Sequence, residues 1–164
     1  GSGLPDVTYG LTLNLKYKDF DFLIFGQGVS GNQIYQGLRR LDLGVAPNFQ
    51  TAALGRWTGE GSTNSYPRLT SNDTNRNFSN PSDFYLQNGD YFRIKQLQIG
   101  YTIPKEIIGK AGLQRVRLYV TGENLFTFTK YTGYDPEIGG DVSGIDRGFY
   151  PQAKSYMFGV NLQF

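Results

Sequence analysis

Residues 155–164 read SYMFGVNLQF. Side chains alternate across an extended strand, so Tyr156, Phe158, Val160, Leu162 and Phe164 share one face, and Ser155, Met157, Gly159, Asn161 and Gln163 share the other. The first face is apolar throughout. Roughly ten residues are enough to cross a bilayer when the strand is tilted.

The same period recurs upstream. In residues 115–126, Val116, Leu118 and Val120 oppose Arg115, Arg117, Tyr119 and Thr121. In residues 91–103, Leu97, Ile99, Tyr101 and Ile103 oppose Gln96, Gln98, Gly100 and Thr102, and the pattern stops at Pro104. Near the start, Tyr9, Leu11, Leu13, Leu15 and Tyr17 oppose Thr8, Thr12, Asn14, Lys16 and Lys18, with tyrosines bracketing the aliphatic stretch. Residues 20–28 form a further strand of open facing, because Leu23 and Phe25 oppose Phe22 and Ile24.

Connections between these strands alternate in length. A polar turn at Lys18 and Asp19 joins the first pair, and residues 104–114 join the third and fourth through one expected helical turn. The other two links are long and lie together at the opposite end. Residues 56–84, within the longer one, are rich in Asn, Ser, Thr, Gly and Pro, which suits a surface loop.

The chain has 164 residues, 22 of them glycine, with 12 Tyr and 12 Phe; Tyr and Phe favour strands, and glycine at this level fits many turns. There is no histidine and no cysteine, which excludes histidine-based triads, thiolate nucleophiles, His/Cys zinc sites and disulfides. A net charge of +2 with no basic cluster points to no nucleic-acid partner. No run of about 18 apolar residues offers a transmembrane helix, so any crossing must be made by strands. Residues 1–3, Gly-Ser-Gly, read as a cloning remnant, leaving residues 4–164 as one unit.

Short turns at one end, long loops at the other, membrane-spanning strand lengths and tyrosines at strand ends describe an all-β fold. The expected architecture is an antiparallel transmembrane β-barrel segment of about five strands with long extracellular loops. A soluble, aromatic-rich β-sandwich that binds carbohydrate is the alternative, because a sandwich also alternates.

Four stretches carry a family resemblance: GRWTGEGSTNSYPRL, NGDYFRIKQLQIGYTIPKEI, RVRLYVTGENLFTFTKYTGYDPEIGG and YMFGVNLQF. In this order they resemble the C-terminal end of SusC/RagA-type TonB-dependent outer-membrane transporters. The resemblance implies part of a barrel of roughly 22 strands. It also implies a non-enzymatic role in TonB-energised uptake of glycan or peptide fragments across the bacterial outer membrane. The implied partners are a SusD-like surface lipoprotein acting as a lid, outer-membrane lipid, and the TonB complex through a plug region outside this chain.

Several motifs have plainer readings. Gly26-x-Gly28-x-x-Gly31 matches a dinucleotide fingerprint in spacing, but no acidic residue follows at the required distance and the preceding strand forms a hairpin. These glycines are expected to ease the second strand into the long loop. Asp73-x-Asn75-x-Asn77 begins like a calcium loop, yet Phe78 and Phe84 occupy the glycine and glutamate positions. Asp135, Glu137, Asp141 and Asp146 read as solvated loop carboxylates rather than a cation site. No metal and no cofactor are expected. Trp57, Tyr66, Tyr131 and Tyr134 are the candidate contacts for a sugar ring or a lid protein, against a role in loop packing or anchoring. Tyr156, Phe158, Val160, Leu162 and Phe164 resemble the aromatic-ended final-strand signal read by the barrel assembly machinery.

Overall fold

The computed structural model describes residues 1–39, 49–109, 112–138 and 144–164. Its centre is one antiparallel sheet of five long strands. β1 (Val7–Tyr17) and β2 (Phe20–Ser30) form a hairpin closed by Lys18 and Asp19, with Lys18 at φ 52°. The chain then makes β3 (Gln33–Gln36) and β4 (Leu86–Asn88) before β5 (Tyr91–Thr102) returns to the large sheet. After Pro104 the expected helical turn is α1 (Lys105–Ile108), which leads into β6 (Arg115–Thr129). Two residues of β7 (Ile145–Asp146) precede β8 (Ser155–Gln163).

The large sheet runs β1-β2-β5-β6-β8, and β4-β3-β7 form a small second sheet. Every neighbouring pair in the large sheet is antiparallel. The two short links and the end of β8 therefore lie at one edge, and both long excursions lie at the other.

Register shows what the alternation achieves. Leu15, Phe22, Ile99, Val120 and Phe158 form one row across all five strands, and Tyr17, Phe20, Tyr101, Leu118 and Val160 form another. The intervening row is Lys16, Asp21, Gly100, Tyr119 and Gly159. One face is thus continuously apolar and the other mixed and polar. Register with β1 also fixes the facing of β2: Phe20, Phe22 and Ile24 join the apolar face, and Leu23 and Phe25 the polar one.

The apolar face carries aromatics at both ends. Phe20 and Tyr101 touch at 4.7 Å near the short turns, while Tyr9, Phe92 and Phe128 stack in sequence at 6.1 and 6.5 Å near the long loops. Tyr9 and Tyr17 stand eight positions apart, about 26 Å of strand at ~3.3 Å per residue. At the usual tilt of about 40° that is about 20 Å of depth, comparable with the roughly 25 Å apolar band of an outer-membrane barrel between its aromatic girdles.

Nothing among the described residues covers this face: Phe158 is 69% exposed, and the leucines of β1 are exposed along the whole strand. The small sheet lies beyond the ends of the long strands instead of stacking on them, so the two-sheet sandwich is not the architecture. Neighbouring strands pair along most of their length, with register shifts at Phe25/Gly26 and Ile94/Gln96, while β1 and β8 each present one edge with no strand partner among the described residues.

The glycines of β2 differ from expectation. Gly26 and Gly28 lie inside the strand, where a Cβ on Gly28 would meet the Tyr9 ring at 2.6 Å and one on Gly26 the Phe92 ring at 2.5 Å. They make room for the stacked rings. Of the three, Gly31 alone has a positive φ, 88°, and turns the chain out of the sheet.

Candidate functional site

The long-loop end is built on a small aromatic core. Ala53, Phe78 and Tyr85 are buried, with Tyr35, Phe49, Tyr66 and Phe84 packed against them. Tyr35 stacks on Tyr85 at 4.9 Å, and Phe84 meets Tyr66 and Tyr85 edge-on at 5.2 and 5.1 Å. Such pairs contribute about 0.5–1.5 kcal/mol each beyond burial. They give a loop of polar composition a folded floor.

Asp73 shapes the rim of this floor. Its carboxylate accepts the amides of Asn77 (2.8 Å), Phe78 (2.9 Å) and Ser79 (2.9 Å) and the Ser79 hydroxyl (2.8 Å). Partial desolvation raises its pKa, but the Ser79 hydroxyl and the three amides outweigh this and hold the carboxyl below its ordinary value. The Asp73-x-Asn75-x-Asn77 motif therefore acts as a loop cap that delivers Phe78 to the core, and its carboxylate is committed to the chain's own donors.

Arg39 fixes the opposite wall. Its guanidinium lies 4.5 Å from the Phe84 ring centre and 5.0 Å from that of Tyr66. Its Nε donates to the Tyr66 hydroxyl at 3.1 Å, and Nη1 donates to the Phe84 carbonyl. Between these walls opens a cavity of about 730 Å³, lined by Trp57, Tyr66, Asn64, Arg68, Asn75 and Asn77 among others. Trp57 is 41% exposed and is tied to Tyr66 by a backbone bond of 2.9 Å. An indole face beside amides and a guanidinium is chemistry for a ligand with both apolar faces and hydrogen-bonding edges.

The structure brings Trp57 and Tyr66 together here, and places the other two aromatics elsewhere. Tyr131 is 6% exposed and its hydroxyl donates to the Asp146 carboxylate. Burial, then that hydrogen bond, pushes its pKa up. Tyr134 is 65% exposed on the second long loop and does not line the cavity.

The loop carboxylates are not solvated as expected. Asp135 is buried against Arg93 at 2.5 Å, Glu137 takes Arg93 at 2.8 Å and Lys95 at 2.6 Å, and Asp146 is 1% exposed. Asp141 lies outside the described residues. Through Arg93 and Lys95 this cluster clamps the loop after β6 onto β5, and Asp135 also accepts the Gln152 amide at 2.9 Å. Sequence reading missed the clamp, although Arg93 and Lys95 near the rim were its available signal.

On the polar face a second ion pair crosses the sheet. Arg117 of β6 donates to Asp21 of β2 through Nε at 2.8 Å and Nη2 at 2.5 Å, passing over β5 at Gly100. A Cβ on Gly100 would lie 2.4 Å from both partners, so glycine is what lets the bridge form. Arg117 is thus held in an ion pair on the polar face. On the apolar face, Tyr156, Phe158, Val160 and Leu162 of β8 are all exposed, as is Phe164 just beyond it.

No protein-family model matches the chain. Among curated proteins it is 34% identical to TonB-dependent receptor P3 of Formosa agariphila, a match covering 100% of this chain and 17% of that protein. It is 30% identical to TonB-dependent receptor SusC of Bacteroides thetaiotaomicron, covering 97% of this chain and 15% of that protein. The chain therefore spans about a sixth of the length of these relatives, which are named as receptors rather than as enzymes. Among solved structures it superposes on the RagAB peptide importer in its closed-closed state with a TM-score of 0.77, at 26% identity over 99% of this chain and 18% of that one. The open-open state gives a TM-score of 0.75 at 25% identity, over 98% of this chain and 17% of that one.

Proposed function

The chain is homologous over its whole length to a segment of the SusC/RagA-type TonB-dependent receptors, and from that premise we propose that it forms the C-terminal part of the barrel wall of a nutrient importer. The bacterial outer membrane is its location. The imported class is glycan or peptide fragments, the energy source is the TonB complex acting outside this segment, and a SusD-like surface lipoprotein covers the long-loop end. The role is transport rather than catalysis.

The observation that carries this reading is the apolar face, unbroken across five strands and backed by a polar one. A lone sheet with such a face is unstable in water and needs lipid against it. Its two unpaired edges belong to neighbouring strands of a closed barrel, since an open edge in hydrocarbon costs several kcal/mol for every unsatisfied backbone group. The cavity holding Trp57 and Tyr66 then opens on the outer side, where nutrient or lid arrives. Phe164 and the apolar side chains of β8 are the recognition strand for barrel assembly.

The test is made on the full-length receptor with Trp57→Ala and Tyr66→Ala. Loss of an aromatic platform should weaken binding of a labelled oligosaccharide or oligopeptide, or retention of the lid, by roughly two- to tenfold, while barrel insertion stays normal. Unchanged binding and lid retention in both variants would remove the cavity from the transport path.

A further inference from the structure

The apolar face ends, at its long-loop side, in a feature that the transport reading does not use. A cavity of about 390 Å³ opens there, lined by Tyr9, Phe92 and Phe128 and by Ser30, Asp90 and Lys130, among others. Register sets Tyr9, Gly28, Phe92 and Phe128 in one row, and by alternation Ser30, Asp90 and Lys130 follow on the same face, two residues further out. The hollow thus has a floor of rings and a polar rim.

Beside it the sheet is stepped. β6 runs on to Thr129, but its pairing with β8 stops at Glu123 opposite Ser155. Residues 126–129 pair with β5 alone among the described residues, and Phe126 and Phe128 stay exposed, at 58% and 62%. The chain entering β8 is tied to this step, because Asn124, at φ 52°, donates its side-chain amide to the Ala153 carbonyl at 3.0 Å. The next residue, Lys154, holds its ammonium 5.9 Å from the centre of the Phe126 ring. Phe126 and Phe128 stand two positions apart on one strand, about 7 Å at ~3.3 Å per residue. Two cations therefore flank one pair of rings, Lys154 over the first and Lys130 past the second.

These cations are not neutralised by the chain. Neither forms a salt bridge among the described residues, whereas Arg93 and Lys95 of β5 are matched by Asp135 and Glu137. Asp90, the one carboxylate lining the hollow, already accepts the Gly31 amide at 2.8 Å and the Asn88 side-chain amide at 3.3 Å.

The geometry points to a binding site for a phosphorylated lipid of the outer leaflet, its apolar part on Tyr9, Phe92, Phe126 and Phe128 and its phosphate paired with Lys130 and Lys154. The inference rests on the proposed reading of the chain as barrel wall with its long loops outside. The rings continue the face which that reading turns to hydrocarbon, so an occupant with acyl chains below and a charged head above meets rings first and ammonium groups at the rim. Lysine suits this boundary, since its stem lies along apolar surface while its charge stays at the polar edge. A free phosphate would make no use of the rings. A soluble protein would first have to displace lipid from them.

The experiment is native mass spectrometry of the full-length receptor, delipidated in detergent and titrated with lipid A carrying its phosphates or with the same lipid after their removal. At a concentration that fills the parent, Lys130→Gln, Lys154→Gln receptor should carry one phosphorylated lipid fewer, the affinity of that site having fallen roughly ten- to thirtyfold. Its uptake of dephosphorylated lipid should be unchanged. Lys16→Gln, in the polar row, should match the parent, and inorganic phosphate at the lipid's concentration should displace nothing. Equal occupancy in parent and double variant, equal loss of both lipid forms, or displacement by inorganic phosphate would each overturn the proposal. So would lipid found only on receptor stripped of a lid protein or of a second copy, which would give the rings to a protein partner. A separate arm reads the wall itself in reconstituted membranes: a nitroxide on Leu13→Cys should be relaxed by dissolved oxygen rather than by an aqueous nickel chelate. Oxygen relaxation there with no lipid lost from the double variant sinks the lipid site alone; nickel relaxation sinks the wall reading and the site with it.

Discussion

The hydroxyl of Tyr131 satisfies a carboxylate at the long-loop end, Asp146, that is almost wholly buried. Removing it with Tyr131→Phe leaves one Asp146 oxygen without that donor and should cost about 1–3 kcal/mol at neutral pH. The hydroxyl also carries a pH signature. Its pKa is raised above the ordinary 10.0, first by burial and then by the bond to Asp146. The folded state thus keeps the proton where the unfolded chain loses it. This stabilisation is complete below about pH 10 and declines as pH rises above that toward the raised folded value. Protection of the Gly148 and Phe149 amides, which the same carboxylate accepts, against hydrogen exchange relative to the intrinsic base-catalysed rate should fall above pH 10 in the parent. In Tyr131→Phe that protection should already be low at neutral pH, with no further step from this group. A parent that shows no alkaline step would contradict the account of this contact. Sequence alone could not assign Tyr131: a tyrosine in a polar loop is equally suited to stack on a ligand or to bury its ring, and only the partner 15 residues away decides.

The strands of the large sheet were legible because their signal is local. Alternation over β1, β5, β6 and β8 names the strand and its faces at once, and strand lengths depend on nothing outside the strand. β2 was legible as a strand but not in facing, since both of its faces carry apolar residues and only pairing with β1 resolves them. The short strands β3, β4 and β7 escaped notice for the opposite reason. They have four, three and two residues, too few for a period, and exist because distant segments meet. The cavity followed the same division: Trp57 and Tyr66 were recognised as candidates, while Arg39, which props the wall between Tyr66 and Phe84, has no sequence signature. β8 itself yields a prediction. It offers an edge with no strand partner among the described residues, a uniform apolar face and an aromatic side chain just past its end, features that suit edge pairing with the seam of the barrel assembly machinery. Phe164→Ala in the full-length receptor should reduce site-specific crosslinking between β8 and the central barrel of that machinery. Deleting Ser62 from the outer loop should leave it unchanged. Equal crosslinking in the two variants would remove Phe164 from the recognition step.

Considered whole, the described chain is a sheet with one apolar face, one mixed polar face and two differently furnished ends, and the proposed reading turns the first face to lipid and the second to the lumen. The outer end has its own aromatic core and a neutralised ionic clamp; the inner end has short turns and an excess of positive charge. All of this follows only if the apolar face meets hydrocarbon. Neighbouring residues of β1 test that claim, because Leu13 lies midway between Tyr9 and Tyr17 in the apolar row with Ile24 and Leu97, and Asn14 lies beside it on the polar face opposite Leu23. Arginine at a lipid-facing position costs roughly 2–4 kcal/mol at the bilayer midplane and far less on a lumen wall. The decisive measurement is the yield of folded, outer-membrane-inserted barrel for Leu13→Arg and Asn14→Arg in the full-length receptor. The account predicts a severe loss for Leu13→Arg and a near-parental yield for Asn14→Arg; equal yields, or the reverse order, would contradict it.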